Sequence, residues 1–97
     1  MIRNFASKCA QDVFDGVNSR YSRKLPIHLH KKAERLLDQL NAITKVKTLR
    51  IPPSNNLEKL EGNLKEFWSL RINQQWRIIF KWEDDEVKEV DIVDYHS

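Results

Sequence analysis

Two consecutive prolines, Pro52 and Pro53, divide this 97-residue chain into halves whose apolar residues recur with different periods. Before them, Leu29, Ala33, Leu36, Leu37, Leu40 and Ile43 fall at i, i+4, i+7, i+8, i+11 and i+14, the spacing of one face of an α-helix. After them the period becomes two. F-W-S-L-R-I-N alternates around Trp68, Leu70 and Ile72, W-R-I-I-F-K-W around Trp76, Ile78 and Phe80, and V-K-E-V-D-I-V-D-Y-H closes the series. Neither proline can continue a helix, so the change of period is a change of architecture.

Around this division the remaining elements fall into place. Pro26 suits the first position of the long helix, whose opposite face carries Lys31, Lys32, Arg35 and Asp38. A shorter helix precedes it, with Ala6, Cys9, Ala10, Val13 and Phe14 at helical spacing and Gly16 as its stop. Ile2 to Phe5 fits an edge strand, and L-E-K-L-E, from Leu57 to Glu61, reads as a strand with one slip. The joints Asn73 to Gln75 and Glu83 to Glu86 are too short for crossovers, so neighbouring strands must run antiparallel. The expectation is an α+β fold in which two N-terminal helices pack on a small antiparallel sheet, as one domain over residues 1–97.

Composition narrows the class. Apolar content of 40% with three Trp and four Phe suffices for a core, and a single cysteine excludes an internal disulfide. No charged-then-apolar leader opens the chain, and no apolar run approaches the ~20 residues of a membrane span. A cytoplasmic protein without membrane contact is expected. Charge is polarised: residues 1–50 carry eleven Lys/Arg against four acids, a net +7, and residues 51–97 six against ten, a net −4. A basic half attracts polyanions, nucleic acid above all, though such a face also serves as ordinary solvated surface.

Several chemistries drop out. His28 and His30 lie two apart at a helix start and project about 200° from each other, so they do not form a metal site. Two isolated glycines make no phosphate loop, and Cys9 falls on a mostly apolar face. What remains is spread over the strands. Alternation puts Arg77 on one face with Ile79 and Lys81, opposite Trp76, Ile78 and Phe80; Arg71 lies on the preceding strand, and Asp94, Tyr95 and His96 end the last. Cleaving RNA without a metal needs a base for the 2′-hydroxyl, cations for a phosphorane and an acid for the departing 5′-oxygen, and these residue types supply such roles.

The stretches I-P-P-S-N-N-L-E-K-L-E-G-N, W-S-L-R-I-N-Q-Q-W-R-I-I-F-K-W and V-D-I-V-D-Y-H, together with the N-terminal I-R-N-F-A-S-K, closely resemble the HigB branch of the RelE/ParE toxin superfamily. The resemblance runs the length of the chain. It implies a toxin that cuts mRNA in the ribosomal decoding site without a cofactor. It also implies a neutralising HigA-type helix-turn-helix antitoxin, through which the complex reaches operator DNA. The family's terminal Asp-Tyr-His falls on Asp94, Tyr95 and His96, and its strand arginine on Arg77, which makes these four the expected catalytic set. Arg71, Lys81, Lys59, Lys31, Lys32 and Arg35 are the expected contacts to RNA and ribosome. A second family arginine falls on Asn73. Where relatives carry a histidine and a lysine in L-H-x-L-K-G, this chain has L-E-K-L-E-G, so Glu58 or Glu61 stands as a candidate base, and Lys59 replaces the lost cation only with a change of register. The same scaffold serves ParE-like toxins that inhibit DNA gyrase, the competing reading.

Overall fold

A computed structural model describes residues 1–95 of the chain. Helix α1 (Lys8–Asp15) opens on Ser7, whose hydroxyl accepts the Ala10 N–H at 3.1 Å, and closes on Gly16 at φ +72°, a left-handed conformation that glycine adopts without strain. Its Asp12 is buried. The Ser19 hydroxyl donates to that carboxylate at 2.6 Å and the Lys8 ammonium lies 3.2 Å away. These two, the hydroxyl first, hold the Asp12 carboxyl below its ordinary value against the opposing effect of desolvation. A carboxyl depressed on folding stabilises the fold above the usual carboxylate range, and that contribution fades as pH falls through the lowered value.

Helix α2 (His30–Ala42) begins later than the sequence suggests. Pro26 has an extended ψ of 136°, and the chain first turns through a 3-10 segment, Ile27–Leu29, before settling into the α-helix. The His30 ring, with Nε2 2.7 Å from the Leu25 carbonyl, braces this entry. Ala33, Leu36, Leu37 and Leu40 then fall on the buried side. Beyond the helix, buried Asn55 donates to the Leu49 carbonyl at 3.1 Å and to Gln39 Oε1 at 3.2 Å, tying the proline-rich segment back to α2.

Four strands follow, β1 (Glu58–Lys59), β2 (Phe67–Arg71), β3 (Trp76–Glu83) and β4 (Glu86–Asp94), antiparallel and adjacent in chain order. One face of this sheet presents Leu70, Trp76, Ile78, Phe80, Val87, Val90 and Ile92, which join Cys9, Ala10, Val13, Ala33, Leu36, Leu37 and Leu40 in a single apolar cluster. Both helices therefore cover the same face, and the other stays open. The N-terminal residues take the edge position expected of them, but run parallel to β4, with Ile2 bridging Val87 and Phe5 bridging Val90.

Strand β4 contains a bulge that simple alternation does not anticipate. Ile79 pairs with Asp91 and Lys81 with Lys88, so Glu89 and Val90 together oppose Phe80. Val87 and Val90 are three apart, and only an added residue lets both point into the core. Glu89 supplies it at φ +51°; Asn4 Oδ1 accepts its N–H at 2.5 Å and its carboxylate lies 2.9 Å from Lys81 Nζ. From there on Asp91, Val93 and Tyr95 share the open face. The β3–β4 hairpin turns on Asp84 and Asp85, both at positive φ, as a two-residue turn matched to strand twist requires.

Phe80→Ala empties the centre of the shared cluster and should lower unfolding free energy by about 3–5 kcal/mol in urea titration. Asp85→Gly relieves a left-handed residue in an exposed turn and should raise it by roughly 0.5–1 kcal/mol. An unchanged Phe80→Ala midpoint would contradict the single-core description.

Candidate active site on the open sheet face

The open face is organised in rows across the strands. In one row Arg71 sits directly opposite Arg77, and Arg77 opposite Val93. Like charges facing each other across strands are destabilising. Among the described residues, neither arginine has a carboxylate within ion-pair distance to relieve the repulsion. Arg77 is instead held by backbone: its Nη1 donates to the Asn73 carbonyl and lies 3.5 Å from that of Trp76. Its guanidinium stands 5.3 Å from the centroid of the Tyr95 ring, within cation–π range.

Tyr95 is 42% exposed, and its N–H donates to the Gln75 carbonyl at 2.5 Å. Asp94 accepts from Gln75 Nε2 at 3.1 Å. The end of β4 is thus docked on the β2–β3 connection. One row further along, Glu58 lies opposite Ser69, Ser69 opposite Ile79, and Ile79 opposite Asp91. Glu58 is exposed and accepts from Asn56 Nδ2 at 3.0 Å. Arginines, an accessible aromatic ring and a carboxylate therefore share one surface able to hold a phosphodiester, stack a base and accept a proton.

The other sequence-derived candidates are distributed differently. Lys81 lies at the far end of the open face, 2.9 Å from Glu89 and 3.5 Å from Glu66. The Glu89 hydrogen bond leads in raising its pKa above the ordinary lysine value, and two carboxylates neutralise its charge. Lys59 stands opposite Trp68 on the helix-covered side, its Nζ 5.5 Å from that ring and 2.6 Å from the Lys65 carbonyl. Lys31, Lys32 and Arg35 belong to α2, whose buried side packs on the covered face, so they point away from the arginine pair. His96 lies outside the described residues. Asn73 and Gln75, which grip Arg77, Asp94 and Tyr95, were legible only as a turn; the signal was an Asn able to accept backbone N–H groups two and three residues on. Burial raises the Cys9 thiol pKa. Among the described residues no cluster of three or more His, Cys, Asp or Glu is placed to hold a metal ion, and no helix is long and apolar enough to cross a membrane.

Helices on one face of a small antiparallel sheet, with the other left open, is the fold of the RelE-like toxins. It matches YoeB in the heterotetrameric YoeB-YefM toxin-antitoxin complex of Staphylococcus aureus at TM-score 0.60 and 23% identity, covering 100% of this chain and 97% of that one. It also matches YafQ of Escherichia coli BL21(DE3) at TM-score 0.58 and 17% identity, covering 97% and 91%. Residues 3–96 match the family described as the RelE-like toxin of type II toxin-antitoxin system HigB, and the chain belongs to that family. Toxin HigB-1 of Vibrio cholerae is 37% identical over 84 residues, 87% of this chain and 86% of its own. An uncharacterized protein of Haemophilus influenzae is 40% identical over 74 residues, 76% and 72% of the two chains.

The arginine row makes a prediction about stability. Arg71→Ala removes half of a like-charge pair and should stabilise the fold by roughly 0.2–1 kcal/mol in thermal melts at low salt, an effect that shrinks as salt screens the pair. Arg77→Ala should destabilise it, because the Asn73 carbonyl loses its donor. A lower melting temperature for Arg71→Ala would contradict the proposed repulsion.

Proposed function

We propose that this type II toxin inhibits growth as an endoribonuclease that cuts mRNA on the translating ribosome without a metal, and that a HigA-type antitoxin neutralises it. The observation that carries this reading is the cross-strand pair Arg71 and Arg77, held without carboxylate partners among the described residues beside the Tyr95 ring. Two facing cations repel, and a phosphate bound between them would accept charge-assisted hydrogen bonds from both and relieve that repulsion. That the chain belongs to a toxin family and shares its fold with YoeB of a toxin-antitoxin complex supports an antitoxin partner.

The chemistry assigns each group a step. A base removes the 2′-hydroxyl proton, the 2′-oxygen attacks phosphorus, and the bond to the 5′-oxygen breaks as an acid protonates it, leaving a cyclic phosphate and a 5′-hydroxyl. Glu58 is the base. It lies two strand spacings, about 10 Å, from the β3 backbone, a gap that a glutamate and an arginine reaching toward one phosphate can span. Arg77, with Arg71, stabilises charge on the five-coordinate phosphorus. Tyr95 stacks on a base or holds the phosphate, Asp94 orients the terminal residues, and His96 protonates the leaving oxygen. Lys31, Lys32 and Arg35, on the reverse of the molecule, contact ribosomal RNA while the open face holds message.

Mapping mRNA 5′ ends after brief induction tests the class of activity: cuts in phase with codons are expected, whereas intact message with accumulating DNA damage would replace this reading with gyrase inhibition. In a purified translating system Arg77→Ala should lower the cleavage rate by about 10²–10³-fold, and Glu58→Gln and His96→Ala should abolish growth arrest. Replacing Lys31, Lys32 and Arg35 with alanine should weaken ribosome affinity and flatten its salt dependence while leaving the rate on saturated ribosomes unchanged. Full arrest by the His96→Ala protein would remove that residue from the mechanism.

A further inference from the structure

The β2–β3 connection touches every described member of the proposed terminal set, yet none of its side chains has a chemical role. Asn73 Oδ1 accepts the N–H of Gln75 at 2.9 Å and that of Trp76 at 2.7 Å, while the N–H groups of Ile72 and Asn73 both donate to the Trp76 carbonyl, at 3.0 and 3.3 Å. This closed set of bonds sets the shape of the turn. Its outward groups are the ones that reach the site. The Asn73 carbonyl takes the Arg77 guanidinium, the Gln75 carbonyl takes the Tyr95 N–H, and the Gln75 side chain takes the Asp94 carboxylate. Arg77 and the last residues of β4 come from different strands, and this turn is what both are fastened to.

Strand β4 ends at Asp94, so the backbone position of Tyr95 depends on its bond to Gln75 rather than on continued pairing with β3. We infer that Asn73 and Gln75 are positioning residues: Asn73 shapes the β2–β3 turn, and through it Gln75 holds the end of β4 so that the Tyr95 ring stays against Arg77. This rests on the proposed nuclease reading for its effect on rate, but not for its effect on structure. Displacing a reacting group by about 1 Å lowers rates by on the order of 10²-fold, so an exposed turn with no chemical role can govern turnover.

The experiment separates the two levels. Ring-current shifts of the Arg77 side-chain protons by Tyr95, and hydrogen exchange at the Tyr95 amide, are followed by NMR in the full-length chain, with cleavage measured on programmed ribosomes. Asn73→Ala should move the Arg77 shifts toward those of a solvated arginine and speed Tyr95 exchange at least tenfold. It should lower the cleavage rate at saturation by about 10–100-fold, with the half-saturating ribosome concentration within about twofold of the parent. Asn73→Asp, which keeps the acceptor oxygen, should restore all of these. Gln75→Ala should reproduce the exchange and rate effects in weaker form, with a melting temperature close to the parent's. Unchanged Arg77 shifts and Tyr95 protection in Asn73→Ala would overturn the inference, as would failure of Asn73→Asp to restore them. A parent protein that shows the Arg77–Tyr95 coupling but cuts no message would overturn the nuclease reading and leave the positioning inference standing.

Discussion

Leu36, Leu37 and Leu40 of α2, Cys9, Ala10 and Val13 of α1, and Leu70, Ile78, Phe80 and Ile92 of the sheet share one apolar cluster, and the rest of the molecule depends on that burial. A four-stranded sheet of this size has two faces and only two helices to cover them. Once both helices lie on one side, alternation commits one set of strand side chains to the shared core and turns the other set to the face without helices, where Ser69 and Ile79 are nonetheless buried. Arg71, Arg77 and Tyr95 are brought together because their sequence positions have the opposite parity to Leu70, Ile78 and Ile92. The candidate functional surface is the complement of the core.

That complement is not built for stability. Two arginines face each other across β2 and β3 with no described carboxylate nearby, while five ion pairs occur elsewhere among the described residues, two of them spent on Lys81. Exposed ion pairs contribute little in any case, so pairing alone does not explain the distribution. What differs is the local field: the arginine row keeps its positive potential, whereas Lys81, on the same face, is neutralised by Glu66 and Glu89. Among the described residues, the open-face cations without a carboxylate partner lie at the end of the sheet where β4 terminates.

Much of this could be read from the chain before any coordinates. The change of period at Pro52 and Pro53 yields the α+β division, and the stripe from Leu29 to Ile43 yields the buried side of α2, because burial imposes periodicity and periodicity is visible in sequence. The face of Arg77 follows from counting along W-R-I-I-F-K-W. Other features depend on non-local bonds, which leave no period. The parallel bridges of Ile2 and Phe5 to β4, the start of α2 after a 3-10 turn rather than at Pro26, and the bulge at Glu89 are of this kind. So is the site's scaffold: Gln75 acts through hydrogen bonds to Asp94 and Tyr95, which lie at a different strand's end. The parity of Tyr95, by contrast, follows from buried Val90 and Ile92, since the strand from Asp91 onward keeps regular register with β3.

The bulge also gives β4 a division of labour along its length. On the hairpin side of Glu89 the strand keeps one phase with β3, and on the terminal side another. The step between them is clamped by Asn4 from outside the sheet and by Lys81 from within it. The Asp84–Asp85 end can therefore drift in length or sequence without its register being transmitted to Tyr95. The N-terminal residues act as an index mark, a fixed reference from which the last six described residues of the strand are measured.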